Sequence, residues 1–439
     1  MARWQITEKL LAEVWQRKLV SHLVADTGEE VEVVHPGRRN KVGGSDFTNA
    51  ILSVNNKMVE GEVELHVASS EWYTHGHNLS AKYDGVVLHV VWYHDSYYPA
   101  RVQSGKIIPT VALSQAFGGI VKRLSSDSQA GGRLPPNCQS SYRAPVLGLA
   151  SLIGELRFFN KAQLLKRTLQ RKAKASQVLF RYICRALGYA QNCEPFQRLA
   201  DGVEIEFLEK CTDNLKRKAF LFGFAGLLPS QRANRAPGIR EDSEAIELEA
   251  VWRSTGNDNI LCQTDWCFFR VRPDNLPPRR IAALAELISR YSYCGLLDSV
   301  IGLVSQAPSG AEQAWLESEL TVRGTGYWGN HIDFGLAKSS NSAILGRERA
   351  ADIAVNVVLP FAFAWGEINS KTGLSDKAFY IFQKYGKLAD NEIVRYMRQQ
   401  LGLSSDVTLS ASQHQGLIYL FETYCHSKAC DICPLTKPR

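Results

Sequence analysis

No stretch of the sequence reaches the roughly eighteen consecutive apolar residues that a membrane-spanning helix needs. The longest apolar run, around Ile353 to Trp365, is interrupted by Asn356 and Pro360. The opening residues, Met-Ala-Arg-Trp-Gln, lack the apolar core of a secretory signal. These two absences lead to the expectation of a cytoplasmic protein with no membrane partner. Glycine (33) and proline (16) are not in excess, which excludes collagen-like and low-complexity classes. No internal repeat is visible, so a solenoid is not expected. What is present is an ordinary globular composition, 45% hydrophobic and 22% charged over 439 residues. That excludes wholesale disorder, and the length allows two or three domains.

Charge is uneven. The formal net charge is +7, but residues 1–100 carry −4, residues 101–240 carry +15 and residues 241–439 carry −4. A basic middle between acidic ends points to a polyanionic partner, and nucleic acid is the expected one. The densest basic stretch holds Lys161, Lys166, Arg167, Arg171, Lys172 and Lys174. It is a candidate for holding a nucleic-acid backbone, and binding there would depend strongly on salt. The alternative is a solvated helix face.

Seven of the ten histidines precede residue 95, and five fall between His66 and His94. Seven of the ten cysteines are scattered and read as reduced, mostly buried thiols. The other three, Cys425, Cys430 and Cys433, have the spacing Cys-x4-Cys-x2-Cys, which suits a zinc ion or an iron–sulfur cluster. Either needs a fourth ligand, and Cys294, His414 and His426 are the candidates.

The periodicity predicts an α+β protein. A helix at Trp4–Leu19 is followed by strands at Glu30–Val34, Phe47–Val54, Gly61–Ala68 and Val86–Tyr93, with a turn at Asn55-Asn56-Lys57. This makes residues 1–125 an α/β domain with a central mixed sheet. Residues 126–140 read as a linker, residues 141–310 as a mostly helical basic region and residues 311–439 as a helical region ending in the cysteines.

Alternation along Gly61-Glu-Val-Glu-Leu-His66 puts Glu62, Glu64 and His66 on one face of a strand, with Val63, Leu65 and Val67 turned to a core. Asp46 opens the preceding strand. Carboxylates on adjacent strands suit Mg²⁺ or Mn²⁺. His75 and His77 flank Gly76, which would let both rings meet at one point, and His89 lies inside an apolar strand. Five histidines beside an acidic strand also permit a site for zinc, manganese or iron.

The order of helix, Asp-bearing strand and acid-x-residue strand resembles the PD-(D/E)XK nuclease superfamily. That resemblance implies Asp46 and Glu64 as the metal acids, with Glu62 assisting. His66 stands where the lysine belongs, and Glu13 or Glu8 is the accessory acid. Several motifs resemble the bacterial family called domain of unknown function 2851. They are Gly61–His66, Trp72-Tyr-Thr-His-Gly-His77, Val87–Trp92, Leu187-Gly-Tyr with Asn192, Leu221–Gly226, Arg272–Arg279, Tyr327-Trp328, Asn356–Pro360 and the closing cysteines. This resemblance covers essentially the whole chain and implies no activity. The terminal cysteine loop is similar to that of endonuclease III-type DNA glycosylases, without their fourth cysteine.

The expectation is therefore a metal-dependent phosphodiesterase or nuclease. Asp46, Glu62, Glu64 and His66 would be catalytic, and Glu13, His75, His77 and His89 accessory. Two alternatives stand beside it: a histidine-rich metal hydrolase acting on a small molecule, and an inactive nucleic-acid-binding scaffold.

Overall fold

The computed structural model describes residues 8–113, 143–426 and 433–435, apart from residues 17, 19, 21, 41, 42, 97, 172, 173, 190, 233–241, 270, 325 and 339–342. The expected linker at 126–140 lies outside the described residues. The chain forms two compact units. One comprises Met1–Asn160 with Asp390–Arg439, and the other Lys161–Ala389. The C-terminal residues thus cluster with the N-terminal ones instead of forming a region of their own.

The first unit opens with helix α1 (Glu8–Gln16), which buries Leu11, Val14 and Trp15. The strands follow: β1 (His22–Val24), β2 (Glu30–His35), β3 (Arg38–Arg39), β4 (Phe47–Val54) and β5 (Lys57–Ala68). A short helix α2 (Glu71–Thr74) and two 3-10 turns (His77–Leu79, Ala81–Tyr83) lead to β6 (Val86–Tyr93). The strands β7 (Ala100–Arg101), β8 (Ile107–Ile108) and β9 (Thr110–Ala112) complete it. The main sheet runs β1-β2-β4-β5-β6-β9, with β3 paired to β4. It is antiparallel up to β5, then parallel for β5–β6 and β6–β9. A bridge between Ala25 and Val111 joins the β1 end back to β9, so the sheet curls on itself. The expected α+β class and central mixed sheet are what the structure shows.

The hairpin between β4 and β5 turns at Asn55 and Asn56, with φ of 47° and 64°. Asparagine tolerates that left-handed pair, which matches the twist of the strands. The parallel β5–β6 pair needs a crossover, and the 69–85 segment supplies it. That segment is held by a small apolar cluster of Trp72, Val86, Ala100, Val102 and Ile108. Asp95 fixes its start by accepting from Ser69 Oγ, Ser70 N–H and Ser70 Oγ.

Helix α3 spans Arg143–Gln170. Within the first unit it packs backbone to backbone on helix Ala411–Leu420. A Cβ at Gly154 would lie 1.8 Å from the Ser412 carbonyl, and one at Gly416 would lie 1.8 Å from the Ala150 carbonyl. Arg157 donates to Gln415 and pairs with Glu422 beside this crossing.

The second unit is helical among its described residues except for a small β-hairpin and an isolated bridge. Two of its helices, Pro277–Tyr291 and Leu296–Ser305, are separated at Gly295, with φ of 81°. Asn356 and Pro360, which break the apolar run, do not break the helix. Arg347–Ile368 is continuous, because a π-helical turn at Ala354–Val358 absorbs the register change before Pro360. This helix is long and apolar enough to cross a membrane, with mean hydropathy 1.4, and 72% of the apolar window is buried within the protein.

Candidate metal centre on the curled sheet

Strand β5 is buried on both faces in its second half. Val63, Leu65 and Val67 face one side as expected, but Glu64 (5% exposed) and His66 (1%) are buried as well. The predicted polar face is therefore an interior, covered by the 69–85 segment. Burying an acid and an imidazole together is costly unless each is partnered, and the partners are visible.

Asp46 and Glu64 meet across β4 and β5 by reciprocal bonds. Asp46 N–H donates to Glu64 Oε2 at 3.0 Å, and Leu65 N–H donates to Asp46 Oδ2 at 3.0 Å. This leaves Glu64 Oε1 turned to the histidines, 3.2 Å from His77 Nε2 and 3.7 Å from His66 Nε2. His66 Nε2 also lies 3.1 Å from His77 Nε2 and 3.2 Å from His75 Nδ1. The ligand atoms of His66, His75 and His77 lie within 4.8 Å of one another. Gly76, with φ of 72°, supplies the left-handed turn that brings His75 and His77 to the same point.

On its other side His66 Nδ1 is 2.9 Å from His89 Nε2, and His89 Nδ1 is 3.3 Å from Thr110 Oγ1. Trp72 covers the group, with ring centroids 5.0 Å from His89 and 5.5 Å from His77. Tyr83 lies 3.9 Å from the His77 ring. His75 is the one exposed member of the three.

The electrostatics follow from this crowding. Burial, reinforced by the neighbouring histidines, pushes His66 down to about 2 and His89 down to about 3, so both rings are neutral at physiological pH. Burial raises the Glu64 carboxyl, and the Asp46 charge adds to it against the His77 hydrogen bond. Burial raises Asp46 too, opposed by the Leu65 N–H and by Arg39. Glu8 on α1 is raised by burial and by the charges of Asp46 and Glu71, which places it beside the same group. Among the described side chains of α1, Glu8 is the acid beside the cluster. Glu13 lies on α1, with its side chain outside the described residues.

Glu62 does not join the cluster. Its Oε2 accepts from Ser45 Oγ at 2.7 Å, and its carboxyl sits against Gly85. A register shift between Glu62 and Val63 separates it from the residues that follow. His94 is likewise elsewhere, 3.3 Å from Asp26. Sequence reasoning missed Thr110 and Tyr83, and Glu71, whose Oε2 accepts from Val67 N–H and Ala68 N–H. Thr110 reaches the site only through the pairing of β6 with β9, which sets His89 opposite it.

The other expected sites fare differently. In the basic stretch, Lys161 bonds Asn356, Lys166 pairs with Glu367, and Lys174 pairs with Glu206 and Glu204. Arg167 and Arg171 lie on the same stretch, and Lys172 lies outside the described residues. Cys433 is buried and Cys425 Sγ is 3.8 Å from Met397 Sδ, while Cys430 lies outside the described residues. Cys294 is an exposed residue of the second unit. No disulfide joins the described cysteines, and of the scattered ones Cys184 and Cys211 are buried while Cys262 and Cys294 are exposed. An open cleft of about 760 Å³ in the second unit is lined by Glu286, Arg290, Glu317, Arg323 and Arg347, among others. Its Arg347 pairs with Glu317, and Arg290 donates to the Glu319 and Thr321 carbonyls.

Three imidazoles and a carboxylate converging on one point, on a curled mixed sheet, define a protein with a candidate transition-metal centre. Residues 8–391 match the family model described as protein of unknown function (DUF2851), and the chain belongs to that family. No curated protein and no solved structure matches it.

Proposed function

We propose that the protein is a metal-dependent hydrolase whose first-row transition metal is held by His66 Nε2, His75 Nδ1, His77 Nε2 and Glu64 Oε1. The observation that carries this reading is the spacing of those atoms. Ligands about 2.0–2.1 Å from a tetrahedral metal lie about 3.3 Å from each other. The three separations from His66 Nε2 are 3.1, 3.2 and 3.7 Å, that between His77 and Glu64 is 3.2 Å, and the three histidine atoms all lie within 4.8 Å of one another. The neutral imidazole, the form in which burial holds His66, is the form that binds metal. Three nitrogens with one carboxylate suit zinc, iron or manganese better than magnesium, which prefers oxygen.

Such a metal supplies Lewis acidity that makes a water acidic near neutral pH. The chain's residues supply the rest. Glu64 offsets the metal charge from within the sheet, and its second oxygen is tied to the Asp46 N–H. The raised carboxyl of Asp46 is suited to take a proton from a water on the same side. His75 stands at the exposed edge, which gives a substrate its approach. Trp72, fully buried, packs against His77 and His89 and shields them from water.

A second reading keeps the nuclease-like arrangement. It rests on the Asp46–Glu64 pair, two acids bonded across adjacent strands with His66 two residues on. There Mg²⁺ or Mn²⁺ would sit between the acids and nucleic acid would be the substrate. The acid partners of Lys166 and Lys174, and the bond from Lys161 to Asn356, count against a free polyanion surface.

The test uses full-length protein stripped with chelator and reloaded separately with Zn²⁺, Mn²⁺ or Mg²⁺. Each form is assayed on p-nitrophenyl acetate, bis-p-nitrophenyl phosphate and single-stranded DNA. Hydrolysis of the acetate or phosphate ester with Zn²⁺ or Mn²⁺, abolished in His77→Ala, is the expected result. DNA cleavage supported by Mg²⁺ and retained in His77→Ala would establish the second reading. Folded protein that binds no metal would refute both.

A further inference from the structure

The cluster has a proton-counting problem whose solution lies one residue further in. To serve as a metal ligand His66 must be neutral, with a single ring proton, yet both of its nitrogens face other nitrogens. His89 is fully buried and in the same position, between His66 and the Thr110 hydroxyl. Only two arrangements satisfy the whole row. In the first, Thr110 donates to His89 Nδ1, His89 Nε2–H donates to His66 Nδ1, and His66 Nε2–H points into the cluster. In the second, every proton is shifted one place: His66 Nδ1–H donates to His89 Nε2, His89 Nδ1–H donates to Thr110 Oγ1, and His66 Nε2 presents a lone pair. Protons are conserved between the two, and no residue changes charge. A metal accepts only the second arrangement, because a ligand nitrogen must be unprotonated.

We propose that His89 and Thr110 are positioning residues that set the tautomer of His66, and that metal loading moves the protons of His66 and His89 together. This rests on the metal-centre reading above. Thr110 is built for the task. Its N–H donates to Asp26 Oδ1 at 2.8 Å, and its carbonyl accepts from Asp26 N–H at 2.8 Å. Its backbone is thereby pinned from both sides, and its hydroxyl is held at His89. Trp72 blocks water from replacing either partner, since its ring lies edge-on to His66 and tilted against His89. Outer-shell partners of this kind orient ligand histidines and raise their basicity.

Imidazole ¹⁵N spectra of full-length histidine-labelled protein test this directly, recorded metal-free and with one equivalent of Zn²⁺. The expected metal-free state has protonated Nε2 on both His66 and His89. Zn²⁺ should move both protons to Nδ1, with a zinc-bound shift at His66 Nε2. His89→Phe should weaken Zn²⁺ binding by about 10–100-fold in chelator competition, Thr110→Val should weaken it less, and His89→Gln should retain most of it. Thr110→Val guards against loss of the fold in His89→Phe, and circular dichroism checks both. If wild type binds Zn²⁺ but His89 keeps its tautomer, or folded His89→Phe binds equally well, the inference is overturned while the metal centre stands. If wild type binds no Zn²⁺, the metal centre itself falls.

Discussion

His66 and Glu64 are polar side chains buried in the second half of β5. Each is nearly inaccessible, and each has its polar atoms committed. Without a cation, Glu64 is a buried carboxylate near a second acid, and burial holds its carboxyl above the ordinary value of 4.5. An acid whose folded pKa is raised costs the fold stability as pH climbs from the unfolded value through the folded one. Glu64→Gln removes that cost while leaving an oxygen to accept the Asp46 N–H. In chelator, the variant is therefore expected to unfold at higher urea than wild type at pH 8, with the difference vanishing below about pH 4. In Zn²⁺ the order should reverse, because the variant lacks a ligand charge. A variant less stable than wild type in chelator at pH 8 would show that Glu64 is held by favourable pairing alone.

At the scale of elements, two glycines decide how the site and its support are assembled. Gly76 sits at φ 72° with nothing within 4 Å of where a Cβ would be, so its role is backbone conformation and not space. Gly76→Ala should cost about 1–2 kcal/mol in urea unfolding and also reduce metal binding, since His75 and His77 must turn about that residue. Gly416 is the opposite case, where space is the whole issue. A Cβ there collides with the Ala150 carbonyl, so Gly416→Ala should destabilise by about 1–3 kcal/mol or more with zinc stoichiometry unchanged in the folded fraction. Equal effects of both variants on metal binding would dissolve this distinction.

The same elements show what the sequence made legible. Phe47–Val54 and Val86–Tyr93 are strands over the residues that alternation and β-branched content predict, and the Asn55-Asn56 turn is where turn chemistry puts it. His66, His75 and His77 were readable only as three of five histidines beside an acidic strand, with Gly76 pointing to the meeting of His75 and His77. Glu62 was not separable from Glu64, because strict alternation hides the register shift at Val63. Thr110 was not readable, because its place opposite His89 depends on the order of strands in the sheet. The burial of Glu64 and His66 was also out of reach, since it comes from the crossover segment covering a face that alternation marks as polar.

For the whole molecule, the division into units changes the meaning of composition. The basic stretch at 161–174 reads from sequence as a polyanion surface, but Lys166 and Lys174 find their acids at Glu367, Glu204 and Glu206 of the same unit. The C-terminal cysteines belong to the unit that carries the histidines, so one unit contains two sets of candidate ligands of different softness. Imidazole and carboxylate suit zinc, iron or manganese, and thiolates suit zinc or iron–sulfur clusters. Metal content alone does not distinguish them, but the atoms around the metal do. The most direct measurement is X-ray absorption at the zinc edge of full-length protein loaded with one equivalent of Zn²⁺. The account predicts a shell of nitrogen and oxygen at about 2.0–2.1 Å with imidazole scattering and no sulfur. A sulfur shell at about 2.3 Å would place the first zinc on the cysteines and contradict the histidine centre.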